Sequence, residues 1–95
     1  MSTQSETKLS LPNASTLEQA AKLAIKVSKP ICFYFYIDSC KGNAKIVSAD
    51  GDKIIYKNND EHTSPIQNTY KVGSEYLIVT ENTIYIISGS TSIVK

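Results

Sequence analysis

Asp60-Glu61-His62-Thr63-Ser64 is the one stretch of this sequence where carboxylates, an imidazole and hydroxyls crowd together. Acid–base or nucleophilic work would need those groups to converge on one point inside a pocket. Consecutive loop residues point apart, so the stretch reads as a solvated loop in which Ser64-Pro65 begins the next strand. Cys40 and His62 would make a thiolate–imidazolium pair if Asp38 oriented the ring. Nothing in their spacing supports that, and Cys40 beside Lys41 reads as a turn cysteine. Lys41-Gly42-Asn43 and Asp50-Gly51-Asp52 lack the spacing of a phosphate loop. Counted from Asp50, the calcium-loop pattern puts Ile54 and Tyr56 where ligands belong, so both segments read as turns.

A single histidine and two cysteines without a CxxC make a zinc site built by this chain alone an unfavoured reading. No cofactor and no enzymatic activity are expected. Cys32 and Cys40 lie at the start and just past the end of an expected strand. An extended path would hold them ~25 Å apart, beyond the reach of a disulfide. Two isolated thiols suit a reducing, intracellular compartment, cytoplasm or virion. The polar start of the chain, residues 1–8, has no signal-peptide character, and the apolar run Ile31–Ile37 is far short of the roughly twenty residues that span a bilayer.

The net charge of +1 exerts no long-range pull on nucleic acid or anionic membrane. All ten basic residues are lysines, which counts against guanine readout and bidentate phosphate clamping. Coding bias explains the missing arginine better. Ile, Lys, Asn and Tyr, with AT-rich codons, outnumber Gly, Ala, Arg and Pro more than two to one. Many large DNA viruses, some protists and some low-GC bacteria have AT-rich genomes of that kind, which makes a minor virion component of a large DNA virus one expectation. A second function class rests on Tyr34 and Tyr36, with Lys45, Lys53 and Lys57 on neighbouring strands, as an aromatic platform with basic edges for single-stranded nucleic acid.

The elements that must position these groups follow from period and punctuation. Residues 1–14 read as a mobile polar tail and residues 15–95 as one domain. Ser15-Thr16-Leu17-Glu18 matches a capping box, and Leu17, Ala20, Ala21, Ala24 and Val27 then share one face of a helix over residues 16–28, ended by Pro30. Ile31–Asp38 reads as the central strand, with Ile31, Phe33, Phe35 and Ile37 on one face and Cys32, Tyr34 and Tyr36 on the other. Shorter strands follow at 45–49, 53–57, 67–72, 75–80 and 83–88, and Asp50-Gly51 is a strong hairpin signal. The expected fold is therefore α+β. An N-terminal helix packs on a strongly bent antiparallel meander of five or six short strands, a small open barrel or roll.

The last hairpin can be registered from its Glu81-Asn82 turn: Val79 opposes Ile84, Ile78 opposes Tyr85, Leu77 opposes Ile86 and Tyr76 opposes Ile87. Both faces are too apolar for either to lie in water. If the Phe33/Phe35 and Leu77/Val79 faces form the interior, then Tyr76, Ile78, Tyr85 and Ile87, with Tyr34 and Tyr36, are left for a partner. Tyrosine is enriched in interfaces. The expected function is thus non-enzymatic: a structural or interaction subunit of a homo- or hetero-assembly of protein chains, with nucleic acid as the alternative and no membrane.

Overall fold

The computed structural model describes residues 11–94, so most of the expected tail lies outside the described residues. The fold is α+β: helix α1 (Ala14–Val27) is followed by β1 (Ile31–Cys32), a short helix α2 (Tyr36–Cys40), β2 (Lys45–Ala49), β3 (Asp52–Asn58), β4 (Glu61–His62), β5 (Ile66–Val72), β6 (Glu75–Thr80) and β7 (Ile84–Ser88). The strands form two open sheets, ordered β1-β7-β6-β5 and β2-β3-β4. All pairings are antiparallel except β1 with β7. Among the described residues no helix is long and apolar enough to cross a membrane.

Where the sequence pattern was strong, the pairing follows it. The β6–β7 register joins Val79 to Ile84, Ile78 to Tyr85, Leu77 to Ile86 and Tyr76 to Ile87, as the turn dictated. At the β2–β3 hairpin Ala49 pairs with Asp52, and Asp50 and Gly51 both take positive φ (53° and 89°), the geometry a two-residue turn needs to match strand twist.

Helix α1 starts two residues before the expected boundary. Asn13 is its N-cap residue but makes no side-chain capping bond, and Ser15 and Glu18 form no capping box. Glu18 instead pairs with Lys22 at 3.5 Å. Thr16 and Ala20 are buried, with Leu17 and Leu23 packed beside them, whereas Ala21 is exposed. At the other end Ser28 takes the left-handed conformation (φ 58°), and the Lys29 amide donates to Ala24 O at 3.2 Å, a Schellman-type close before Pro30.

The largest correction concerns Ile31–Asp38. Only Ile31 and Cys32 form a strand, paired in parallel with Ile84 and Tyr85, and the Ile84 amide donates to Pro30 O at 2.9 Å. The chain then turns: the Tyr36 amide reaches Phe33 O at 3.0 Å and the Ser39 amide reaches Phe35 O at 2.9 Å, opening α2. A strand persists only where a partner accepts its backbone bonds. Here the chain must leave one sheet to reach the other, and the alternation expected over eight residues is lost after two. Phe33 is exposed rather than interior, while the consecutive Phe35 and Tyr36 enter two different interiors.

Those two interiors lie on opposite faces of the four-stranded sheet. On one, Ala20 of α1 and Tyr36 of α2 cover Leu77 and Ile86. On the other, the three-stranded sheet packs Ile46 and Ile55, with Phe35 and Ala44, against Ile78 and Ile87. The face carrying Tyr76, Ile78, Tyr85 and Ile87 is therefore closed by the second sheet of the same chain. Beyond β7, the Ile46 amide donates to Ser92 O at 2.9 Å and Val94 N–H to Ile46 O at 2.7 Å, laying the C-terminal segment in parallel along β2.

Candidate functional site

Six residues were expected at a partner surface, and the structure separates them. Ile78 and Ile87 are wholly buried and Tyr36 is 6% exposed, so these three belong to the interior. The face expected to meet a partner is covered within the chain itself, by β2 and β3. Tyr76 and Tyr85 are half-buried at the margin of the sheet-side interior, and Lys71 Nζ lies 5.2 Å from the Tyr76 ring centre. Tyr34 alone is broadly exposed, at 55%. The nucleic-acid platform is likewise not assembled, since Tyr36 is interior and Lys57 is held by two carboxylates.

What the turn after β1 does assemble is a cleft of about 360 Å³ between that turn, β7 and the β3–β4 hairpin. It is lined by the aromatic side chains of Tyr34, Phe35 and Tyr85, by Asp60, Glu61 and His62, and by Cys32. The Phe35 ring meets Tyr34 at 4.9 Å and 89°, and Tyr85 at 5.6 Å and 63°, so the three rings form a corner rather than a stack. Phe33, next to Tyr34, is 48% exposed.

A polar network fixes this corner. Tyr34 Oη donates to Glu61 Oε2 at 2.9 Å. Glu61 Oε1 accepts from Lys57 Nζ and from Asn58 Nδ2, each at 3.2 Å, and Lys57 also reaches Asp38 Oδ2 at 3.2 Å. The Tyr34 hydroxyl, and after it the Lys57 ammonium, hold the Glu61 carboxyl below its usual range. The same Glu61 contact is the leading reason the Tyr34 phenol is raised, so tyrosine stays the donor. Burial, reinforced by Cys32, raises the Tyr85 phenol. His62 stacks on Tyr56 at 6.3 Å and 20°, and its Nδ1 lies 3.2 Å from Thr63 O.

The expected loop at residues 58–65 thus contains a two-residue strand, which turns Asp60, Glu61 and His62 toward a cavity that the sequence reading did not give them. Thr63 is drawn inward, its Oγ1 accepting the Ile55 amide at 3.0 Å. The only sequence cue was Thr63 itself, a β-branched residue in an otherwise polar run. Cys40 does not join this site. It lines a separate cleft of about 570 Å³ with Tyr36 and Glu75, so no Cys40–His62 pair exists here. Both cysteines are free. Among the described residues no group of three His, Cys, Asp or Glu side chains is placed to hold a metal ion.

That second cleft is bordered by a buried polar contact. Tyr36 Oη donates to Glu75 Oε2 at 2.6 Å, and the Asn13 amide donates to Glu75 Oε1 at 3.0 Å, which sets an acidic group at the N-terminus of α1 where the helix dipole favours it. Burial is the largest influence on Glu75 and pushes its carboxyl up. Thr16, Tyr36 and the Asn13 amide together outweigh burial and leave it below its usual range. Among the described residues Thr16 Oγ1 makes no hydrogen bond of acceptable geometry. Tyr36 is pushed well above the ordinary phenol range, first by burial and then by Glu75. These contacts tie α1 and α2 to β6 and read as structural. No family model matches the chain, and neither the curated proteins nor the solved structures contain a match to it.

Proposed function

We propose that the protein is a non-enzymatic interaction subunit that joins other protein chains through the surface around Phe33 and Tyr34. One observation carries this reading: two adjacent large aromatic side chains, Phe33 and Tyr34, stand 48% and 55% exposed, and Tyr34 lines a cleft. Tyr34 is anchored at its hydroxyl by Glu61, and Phe35 immediately behind it is locked in the interior. An aromatic surface held in place before binding loses little side-chain entropy on contact, which favours its use as an interface anchor. Two free thiols suit assembly in a reducing compartment.

Light scattering over a concentration series tests self-association, and quantitative affinity capture from the protein's own cells tests a different partner. The comparison is wild type against Phe33→Ser/Tyr34→Ser, with thermal melts to verify that both fold. The expected result is a mass above that of the monomer, or a co-purifying protein, lost in the variant. A wild type that stays monomeric and co-purifies with the same proteins as the variant would overturn the reading.

A further inference from the structure

The cleft beside this surface has a chemistry more specific than a sticky patch. Tyr34 and Tyr85 are its aromatic walls; Phe35 packs edge-to-face against both, at 4.9 Å and 89° and at 5.6 Å and 63°, and at 3% exposed forms only the floor. The carboxylates of Asp60 and Glu61 also line the cleft, and among the described residues no lysine lines it. Aromatic faces and carboxylates together attract a cation with apolar surface of its own.

The geometry selects among cations. A guanidinium is planar and is best gripped between parallel faces, whereas rings meeting at a corner match a compact tetrahedral ammonium. An unmodified lysine ammonium carries three strongly hydrated donors that must find acceptors when they leave water. Here Glu61 is already committed: Oε2 accepts from Tyr34, and Oε1 from Lys57 and Asn58. Asp60 keeps its charge available, with no salt-bridge partner among the described residues, but the N–H bonds of one ammonium point apart, so a single carboxylate receives only part of them. A methylated ammonium has few or no donors to satisfy and offers methyl groups to the ring faces.

We infer that this cleft receives the methylated lysine side chain of a partner protein, with Tyr34 and Tyr85 as the aromatic walls over Phe35 and Asp60 as the principal charge. The inference rests on the interaction-subunit reading above and names what the partner presents. The cavity of about 360 Å³ is large enough for an ammonium head group and part of its stem. Lys57 supports the site from outside by pairing with Glu61 and Asp38, and among the described residues the carboxylates lining the cleft are Asp60 and Glu61.

The test is a nuclear magnetic resonance titration of the full chain with short peptides identical except for one central residue: trimethyllysine, lysine or arginine. Free tetramethylammonium is a fourth probe. Saturable shifts confined to residues around Tyr34, Phe35, Asp60–His62 and Tyr85 are expected with the trimethyllysine peptide, at least tenfold tighter than with lysine, arginine or tetramethylammonium. Tyr85→Leu should weaken binding at least tenfold. Asp60→Asn, at an exposed position that leaves folding intact, should weaken it severalfold.

Equal affinity for the lysine or arginine peptide, shifts located elsewhere, or an Asp60→Asn protein that binds like wild type would overturn the inference. Tetramethylammonium binding as tightly as the peptide would overturn the assignment to a protein side chain. The two readings fail separately. Association that depends on Phe33 with no trimethyllysine binding removes only the inference. Trimethyllysine binding in a protein whose association ignores Phe33 and Tyr34 removes the Phe33/Tyr34 surface from the reading and leaves the cleft.

Discussion

The two interiors on either side of the β6–β7 hairpin are built from neighbouring residues of the same strands yet hold together differently. The sheet-side interior, centred on Ile46, Ile55, Ile78 and Ile87, is aliphatic with an aromatic margin. The helix-side interior has fewer fully buried aliphatics and ends in the Tyr36–Glu75 contact, with Thr16 wholly buried beside it. A sheet lying on a sheet can exclude water across its whole width. A single helix of about 14 residues, roughly 10 Å across, leaves its ends to be closed by polar groups. Dispersion and apolar burial therefore dominate one side, while the other also depends on the protonation state of two buried groups.

The largest test of that contrast is cavity formation. Ile87→Ala should cost about 2–5 kcal/mol in urea-induced unfolding, because Ile87 is fully buried between the sheets and the gap cannot collapse. The loss should be the same at pH 5 and pH 8, since among the described residues no carboxylate or imidazole packs in that cluster. A loss that changes with pH between those values would break the contrast.

Next comes Tyr36→Phe, expected to cost about 1–3 kcal/mol by leaving the buried Glu75 carboxylate short of a donor. The sign of the pH dependence follows from the two shifts. Glu75 is lowered from 4.5 on folding, so its stabilisation is present above that value and is lost as pH falls through the lower folded pKa. Tyr36 is raised from 10.0, so its stabilisation is present below that value and is lost as pH climbs toward the folded pKa. Wild-type melting temperature should thus be flat near neutrality and fall on both sides. The alkaline fall should shrink in Tyr36→Phe, and an unchanged alkaline limb would show that the pair does not govern this interior.

The smallest effect is expected from Thr16→Val. The buried Thr16 hydroxyl has no partner, so its removal should change stability at neutral pH by no more than about 1 kcal/mol. It should also remove one of the influences that lower Glu75, moving the acid loss of stability to higher pH. Thermal melts from pH 3 to 7 decide it: an acid limb that does not move, or that moves the other way, assigns Thr16 no part in holding the carboxylate charged.

How much of this was legible from the chain depended on what kind of signal each segment carried. The β6–β7 register and the Asp50-Gly51 turn were readable because a period of two and a two-residue loop are local facts, closed within a dozen residues. Helix α1 was readable for the same reason, although its start was displaced when Glu75, more than 60 residues away, took the polar role assigned to Ser15 and Glu18. Of the candidate site, Tyr34 and Tyr85 were expected to face a partner and Asp60–His62 to lie in a solvated loop, but not to meet. Cys32, Phe35 and Asp60–His62 come together through contacts between the turn after β1 and the β3–β4 hairpin, and no spacing in the sequence encodes that meeting.

By itself, then, the sequence determined that there would be one helix, a set of short strands and a final hairpin with two apolar faces. Alternation states which side chains share a face; it does not name what covers the face or how far a strand finds a partner. Those were decided by tertiary structure. The second sheet took the face carrying Ile78 and Ile87, and β7 accepted only Ile31 and Cys32. Released from pairing, the next residues turned, which let Phe35 and Tyr36 fill separate interiors and left Phe33 and Tyr34 at the surface. A backbone that must hydrogen-bond somewhere will abandon a strand for a helical turn when the helix also buries its aromatics.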